Sequence, residues 1–314
     1  MKSCDLFLVL LSIIAISICA SLPAQAQRAR VFVSVNGNDS NPCTALSPCR
    51  TFQAAHNAVQ AGGEIDVLDT GGYGPISINK SISIVNPGGV VASIANTGQT
   101  AITINAGQSD VISLRGLTLD GGGVGQMGIW FFAGGTLEIA DCVVRNYTGS
   151  GLTVQSSVAS TLKVTNSEFN DNHDRGILIV PTASVTVSGT LDHVGVYKNF
   201  VGLDIDGTSA PGGDMNLTVK DSVADNNAFG VFVNSNGVST IRVMLVRNVV
   251  SNQGSEGIAS VGSGAQVIVH ESTIFHNAHA WVADRGGFIF SHGNNSVESN
   301  AADFGPVTAA SALE

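Results

Sequence analysis

The chain has 314 residues, of which only 12% are charged, and its formal net charge is −10. An acidic, charge-poor surface excludes a partner held by a basic patch, so neither nucleic acid nor an anionic membrane is expected. The 37 glycines, with Val, Ile, Thr and Ser throughout, favour many short strands and turns over long helices.

Residues 1–26 read as a secretory signal peptide, with Lys2 at the start, an apolar run Leu6–Cys19 and the small-residue site Ala24-Gln25-Ala26. The run is short for a membrane span, so the mature chain is expected to be exported (secreted, periplasmic or envelope-associated) with no integral membrane segment. Cleavage removes Cys4 and Cys19. Cys43 and Cys49 flank a short polar loop and are expected to form a disulfide, leaving Cys142 as a buried, inert thiol.

Residues 27–74 are non-repetitive. A strand is expected at Val31–Val35 and a helix over Thr51–Val59, with Thr51 as N-cap, Phe52, Ala55 and Val59 on one face, and Gly62-Gly63 as the stop. Such a helix suits the open end of a repeat array. His56 and Asn57 on it are expected to be solvated.

Residues 75–314 form the repeat region. Its first strands are expected around Ile76–Ile84, Ala101–Ile104 and Val111–Leu119. The segment Asn166–Val180, NSEFNDNHDRGILIV, shows one unit: an apolar residue three before an Asn, then Gly followed by alternating apolar residues. The marker recurs at Asp120, Asn146, Asn172, Asn199, Asn227, Asn252, Asn277 and Asn300, at gaps of 23 to 28 residues. This period with short alternating strands is the signature of a β-solenoid, in which like residues of successive coils stack. The Asn residues are therefore expected to form an inward ladder, with Asp120 opening the series.

Stacked coils allow the sequence to be read as columns. With each Asn as the marker, Arg145, Asp171 and Lys198 stand one position before it, Tyr147 and His173 one after, and Asp174 and Arg175 follow, forming one expected patch across three coils. Asp204, Asp206 and Asp214 offer hard oxygen ligands for calcium, the one cofactor considered. Trp130, Leu178 and Phe232, each two after a repeat glycine, form an outward column that either stacks sugar rings or lies under the tail Ala301–Leu313.

The segment V-x-G-N-D-S-N-P, the Pro-Cys-Arg-Thr-Phe helix start, Gly-Gly-Glu-Ile-Asp-Val and Gly-Gly-Tyr-Gly, with the Asn-marked coils, resemble secreted right-handed parallel β-helix proteins of the pectin-lyase-like superfamily. The resemblance implies an all-β, right-handed parallel β-helix with an N-terminal capping α-helix, and a polysaccharide partner. Asp171-Asn172-His173-Asp174 is similar to the Asp-Pro-His-Asp motif of alginate C5-epimerases, with Asn172 in place of Pro. The Gly-His-Gly pattern of polygalacturonase-like hydrolases is missing; His292-Gly293 is a partial echo.

Uronate lyases and C5-epimerases need a cation for the carboxylate, a base for the C5 proton, and an acid for the leaving oxygen or the returned proton. Arg145, Arg175 or Lys198, with His173, Tyr147, Asp171 and Asp174, supply those types. The competing expectation is a non-catalytic structural or adhesive solenoid, with Arg145, Asp171 and Lys198 as a surface ion-pair ladder and His173 stacked between Tyr147 and Phe200.

Overall fold

The computed structural model describes residues 28–95, 98–302 and the backbone of 309–310. The expected signal peptide and most of the tail Ala301–Leu313 lie outside them. The described residues form an all-β parallel solenoid with one helix, Phe52–Ala58. Each coil contributes one strand to a nine-stranded sheet whose strands lie in chain order, from Ile76–Ile78 through Arg175–Ile179 and Val201–Asp206 to His279–Asp284. The remaining strands form a twenty-stranded sheet that wraps the other sides.

Alternation builds the core. Ile78, Ile104, Phe131, Val154, Ile179 and Ile205 pair in register across successive strands of the nine-stranded sheet, and each is at most 1% exposed. Burying each such side chain contributes about 1.5–3 kcal/mol, and the stack repeats this on every coil.

Two columns of left-handed residues make the corners within the larger sheet. One runs Asp141, Asn166, His193, Asp221, Arg247 and Glu271 at φ of 46–56°. The other runs Asn146, Asp171, Lys198, Asn226, Asn252, His276 and Ser299 at φ of 52–60°. Asn and Asp adopt this conformation at least cost, which explains their frequency there.

The Asn ladder stands one residue beyond the second column. Asn199 Oδ1 accepts from the Asn172 backbone N–H and Nδ2, both at 3.1 Å. Asn227 Oδ1 accepts from Asn199 N–H at 2.9 Å, Asn277 Oδ1 from Gln253 N–H at 3.0 Å, and Asn300 Oδ1 from Asn277 N–H at 2.9 Å. Asn146 and Asn252 are not members. They occupy the left-handed corner, and the adjacent residues, Tyr147 and Gln253, take the ladder positions: Tyr147 N–H donates to Asn172 Oδ1 at 3.3 Å and Gln253 Oε1 accepts from Asn227 N–H at 2.8 Å.

A second polar ladder follows the first left-handed column. Ser222 Oγ accepts from Val194 N–H, Asn248 Oδ1 from Ser222 N–H, Ser272 Oγ from Asn248 N–H and Asn295 Oδ1 from Ser272 N–H. Cys142 holds a place in this column: its N–H donates to Ser167 Oγ and its Sγ accepts from Leu117 N–H at 3.5 Å. Burial pushes its thiol up to about 11, so it stays protonated and unreactive.

At the N-terminal end Thr51 Oγ1 caps the helix by accepting from Ala54 N–H, and Phe52 packs on Tyr73 with centroids 5.0 Å apart. The helix stops at Ala58, and Gly62 and Gly63 lie in the strand Val59–Val67 instead of ending it. A Cβ on Gly63 would come within 2.8 Å of the Ala29 carbonyl, so strand pairing requires glycine there. His56 faces inward, 3% exposed, with neither ring nitrogen bonded. Burial lowers its pKa and keeps it neutral, against the expectation of a solvated residue. Cys43 and Cys49 form the disulfide.

Candidate functional site

The one-residue offset at Asn146 decides which of the expected site residues meet. Tyr147, read as facing outward, sits in the inward ladder column and is 1% exposed. Its ring lies against Gly121 and Gly128, where an added Cβ would come within 2.8 and 3.2 Å of it. Its hydroxyl has no partner among the described residues, and burial holds its pKa above the ordinary tyrosine range. A slip of one position exchanges the two faces of a strand, and here it moves Tyr147 from the surface to the core.

Arg145 is exposed and lies on the larger sheet, where its Nε donates to Asp120 Oδ2 at 2.9 Å. It pairs in register with Asp120 and Asn170, so the expected ladder from Arg145 to Asp171 does not form. Asp171 and Lys198 share the left-handed corner column, are both exposed, and make no ion pair with any described residue. His173 is exposed in the turn between the two sheets, its N–H donating to the Tyr147 carbonyl at 2.8 Å. It is followed in its column by Phe200, with Thr148 where Tyr147 was expected.

Asp174 and Arg175 lead that turn onto the nine-stranded sheet. The outward column there runs Ser77, Thr103, Trp130, Thr153, Leu178, Asp204 and Phe232 in continuous register. It contains the three apolar residues expected outward. Arg175 bridges two carboxylates, donating from Nη1 to Asp174 Oδ1 and from Nε to Asp204 Oδ2 at 2.8 Å. Asp204 faces outward yet is 4% exposed, packed between the register neighbours Leu178 and Phe232, and its Oδ1 has no partner among the described residues. Burial, only partly offset by Arg175, raises its carboxyl to about 6.

Aromatic rings flank this cluster. Phe229 packs edge-on against Phe200 and Phe232, with centroids 5.5 and 5.7 Å apart. Phe200 is 52% exposed. On the next strands Glu256 and His279 pair in register, and Glu256 Oε2 and His279 Nδ1 are buried without partners. Toward the N-terminal end of the same face an open cleft of about 420 Å³ is bounded by the capping helix and Trp130.

The three expected calcium ligands are not brought together. Asp204 is committed to Arg175, Asp206 Oδ1 accepts from Thr208 N–H at 2.8 Å, and Asp214 opens a strand of the other sheet, 3.9 Å from Arg242. Among the described residues the group with metal-ligand spacing is Asp192, His193 and Asp221. Its carboxylates are already paired with Lys220 and Arg247, each at 2.7 Å, so a cation would have to displace two ion pairs.

Sequence reasoning missed the burial of Asp204 and its pairing with Arg175. Alternation hid the pairing: Arg175 stands three residues before Leu178, the register partner of Asp204, and so has the parity of the inward Ile177 and Ile179, yet from the first position of its strand its side chain reaches Asp204.

A family model described as right handed beta helix region matches residues 71–192. No curated protein matches the chain. Among solved structures, the fold is similar to that of pectate lyase Pel9A, at 15% identity and a TM-score of 0.56 over 90% of this chain and 81% of that one. A rhamnogalacturonan lyase follows at 13% identity and a TM-score of 0.48, covering 87% of each chain. The Azotobacter vinelandii mannuronan C-5 epimerase AlgE6 A-module gives 16% identity and a TM-score of 0.45, over 80% of this chain and 84% of that one. With its in-register parallel coils and capping helix, the chain has a right-handed parallel β-helix fold, similar to that of pectate lyase Pel9A.

Proposed function

We propose that the protein engages polysaccharide along the outer face of the nine-stranded sheet, centred on Asp174, Arg175 and Asp204. The observation that carries this is the outward Asp204 carboxyl, buried beside Arg175 with one oxygen unpartnered and aromatic rings on its flank. Solved neighbours of this fold include a pectate lyase. The disulfide fits an oxidising compartment, in line with export.

In the catalytic form of the proposal the protein is a lyase or C5-epimerase for uronate-containing glycans. Arg175, through the Nη2 that bonds neither Asp174 nor Asp204, pairs with the uronate carboxylate, with Lys198 of the corner column as a second cation. A carboxyl titrating near 6 is matched to proton transfer at neutral pH, so Asp204 takes the C5 proton and His173 serves the leaving oxygen or returns a proton. Tyr147 has no part in it. The non-catalytic reading, an adhesive solenoid, is favoured by one observation: Arg145, expected in the site, is spent on a surface ion pair with Asp120.

Purified protein should be assayed on alginate and pectate, with and without calcium, by absorbance of unsaturated uronate, by NMR for epimerisation, and by calorimetry for binding. Turnover abolished in Asp204→Asn and Arg175→Ala, with the fold retained, would establish the enzyme. Arg175-dependent binding without turnover selects the adhesive form. Absence of both with either polymer sinks the uronate reading.

A further inference from the structure

We infer that the cleft beside Trp130 is a subsite for a neutral sugar residue. This rests on the proposal that glycan runs along the nine-stranded sheet, and it specifies a substrate chemistry different from that of the Arg175 cluster.

The cleft is lined by Gln53, Ser77, Thr100, Thr103, Gln126 and Trp130 among others, with no charged side chain among the described residues of its wall. Its volume of about 420 Å³ lies within the range of small-ligand sites. A uronate carboxylate entering it would lose water and find no cation in return, which is costly. Hydroxyls of a neutral pyranose, by contrast, match amides and alcohols that both donate and accept. The side chains of Ser77, Thr103 and Gln126 make no hydrogen bond with any described residue, so they are available. Gln53 is part of the frame: its Oε1 accepts from Ser77 N–H at 2.8 Å and its Nε2 donates to Asn57 Oδ1 at 3.1 Å, tying the capping helix to the first strand of the sheet.

Trp130 supplies the apolar platform. Its Nε1 donates to Gln155 Oε1 at 3.1 Å, and Phe132 meets it edge-on with centroids 5.8 Å apart at 76°. Both contacts fix the indole before any ligand arrives, which lowers the ordering cost of binding. The C–H face of a pyranose ring packs on such a surface while the ring's edge hydroxyls reach polar neighbours. Ser77, Thr103 and Trp130 belong to the register column that continues to Asp204, so a polymer following the solenoid axis passes over both places.

The chain contains two tryptophans, so a Trp281→Phe background leaves Trp130 emission as the reporter. Full chain in that background should be titrated with cello-, xylo-, manno- and galacto-oligosaccharides and with oligogalacturonate and oligomannuronate, in parallel with calorimetry at low and high salt. The expected result is that a neutral oligosaccharide binds and shifts the emission, with an affinity independent of salt because no ion pair forms. Trp130→Ala and the surface change Gln126→Ala, each checked for retained circular dichroism, should weaken it on the order of tenfold or more. The inference is overturned if no neutral oligosaccharide binds, if binding survives both substitutions, or if anionic oligosaccharides bind with the same dependence on Trp130. Trp130-dependent neutral binding with no acidic-glycan binding would remove only the uronate reading. Arg175-dependent acidic binding with no neutral binding would remove only this subsite.

Discussion

The two outward surfaces of the solenoid treat their polar groups in opposite ways. On the larger sheet, cations face anions across neighbouring coils: Arg115 with Asp141, Lys163 with Glu138, Lys220 with Asp192 and Arg247 with Asp221. These pairs are largely solvated and add little stability, but they match most of the charges on that sheet, with Asp171 and Lys198 at its corner left without an ion pair to any described residue. On the nine-stranded sheet one cation, Arg175, serves two carboxylates, and Asp204 Oδ1, Glu256 Oε2 and His279 Nδ1 are buried without partners. Each such group carries a standing cost of about 1–3 kcal/mol. The larger sheet also holds a buried unpartnered atom, Asn170 Oδ1, but a neutral one, so the contrast lies in the titratable groups: mostly paired there, orphaned on the nine-stranded sheet.

The sharpest test of that contrast is pH. Asp204 titrates at about 6 in the folded protein against an ordinary 3.8. An acid whose folded value lies above its unfolded one binds its proton more readily when folded. Its stabilising contribution is therefore complete below pH 3.8, lost as pH rises to about 6, and flat beyond. Relative to Asp204→Asn, the wild type should lose on the order of 3 kcal/mol between pH 3 and 7, measured by guanidinium unfolding. Parallel pH profiles for the two proteins would show that Asp204 is an ordinary surface carboxylate.

A smaller effect separates the two kinds of ion pair. Arg175→Ala strands the buried Asp204, and although the carboxyl can relieve itself by taking a proton, a loss of about 2 kcal/mol at pH 7 is expected. Lys163→Ala on the paired surface should cost no more than ~0.5 kcal/mol. Equal losses would erase the distinction. The smallest effect belongs to Tyr147→Phe, which removes a hydroxyl with no partner and should leave stability within about 0.5 kcal/mol of wild type, with any glycan activity unchanged. Loss of activity would return Tyr147 to the site.

The fold was legible because alternation and the marker recur on every coil, and because Thr51, Phe52 and Ala55 spell out a capped amphipathic helix. The register was legible only to within one residue. Two adjacent columns both favour Asn: the corner because Asn tolerates left-handed backbone, the ladder because an amide both donates and accepts. Where Asn146 and Asn252 filled the corner and Tyr147 and Gln253 the ladder, residue type could not tell the columns apart. The second ladder escaped notice because it mixes Cys142, Ser167, Ser222, Asn248 and Asn295, which share a hydrogen-bonding role but not an identity. Burial of Asp204 could not be read from alternation alone, which turns it outward. The side chains that cover it belong to the coils on either side.

The in-register column has a further consequence. Trp130 and Asp204 are three strands apart, a separation of about 14 Å at the usual strand spacing. Because each coil contacts chiefly its neighbours, the solenoid works as a ruler graduated in coils. Deleting or duplicating the unit that carries Thr153 or Leu178 would move the two places one graduation closer or farther apart and leave the chemistry of each intact. Distance along the polymer would then be set by the number of repeats in the gene, independently of what each position recognises.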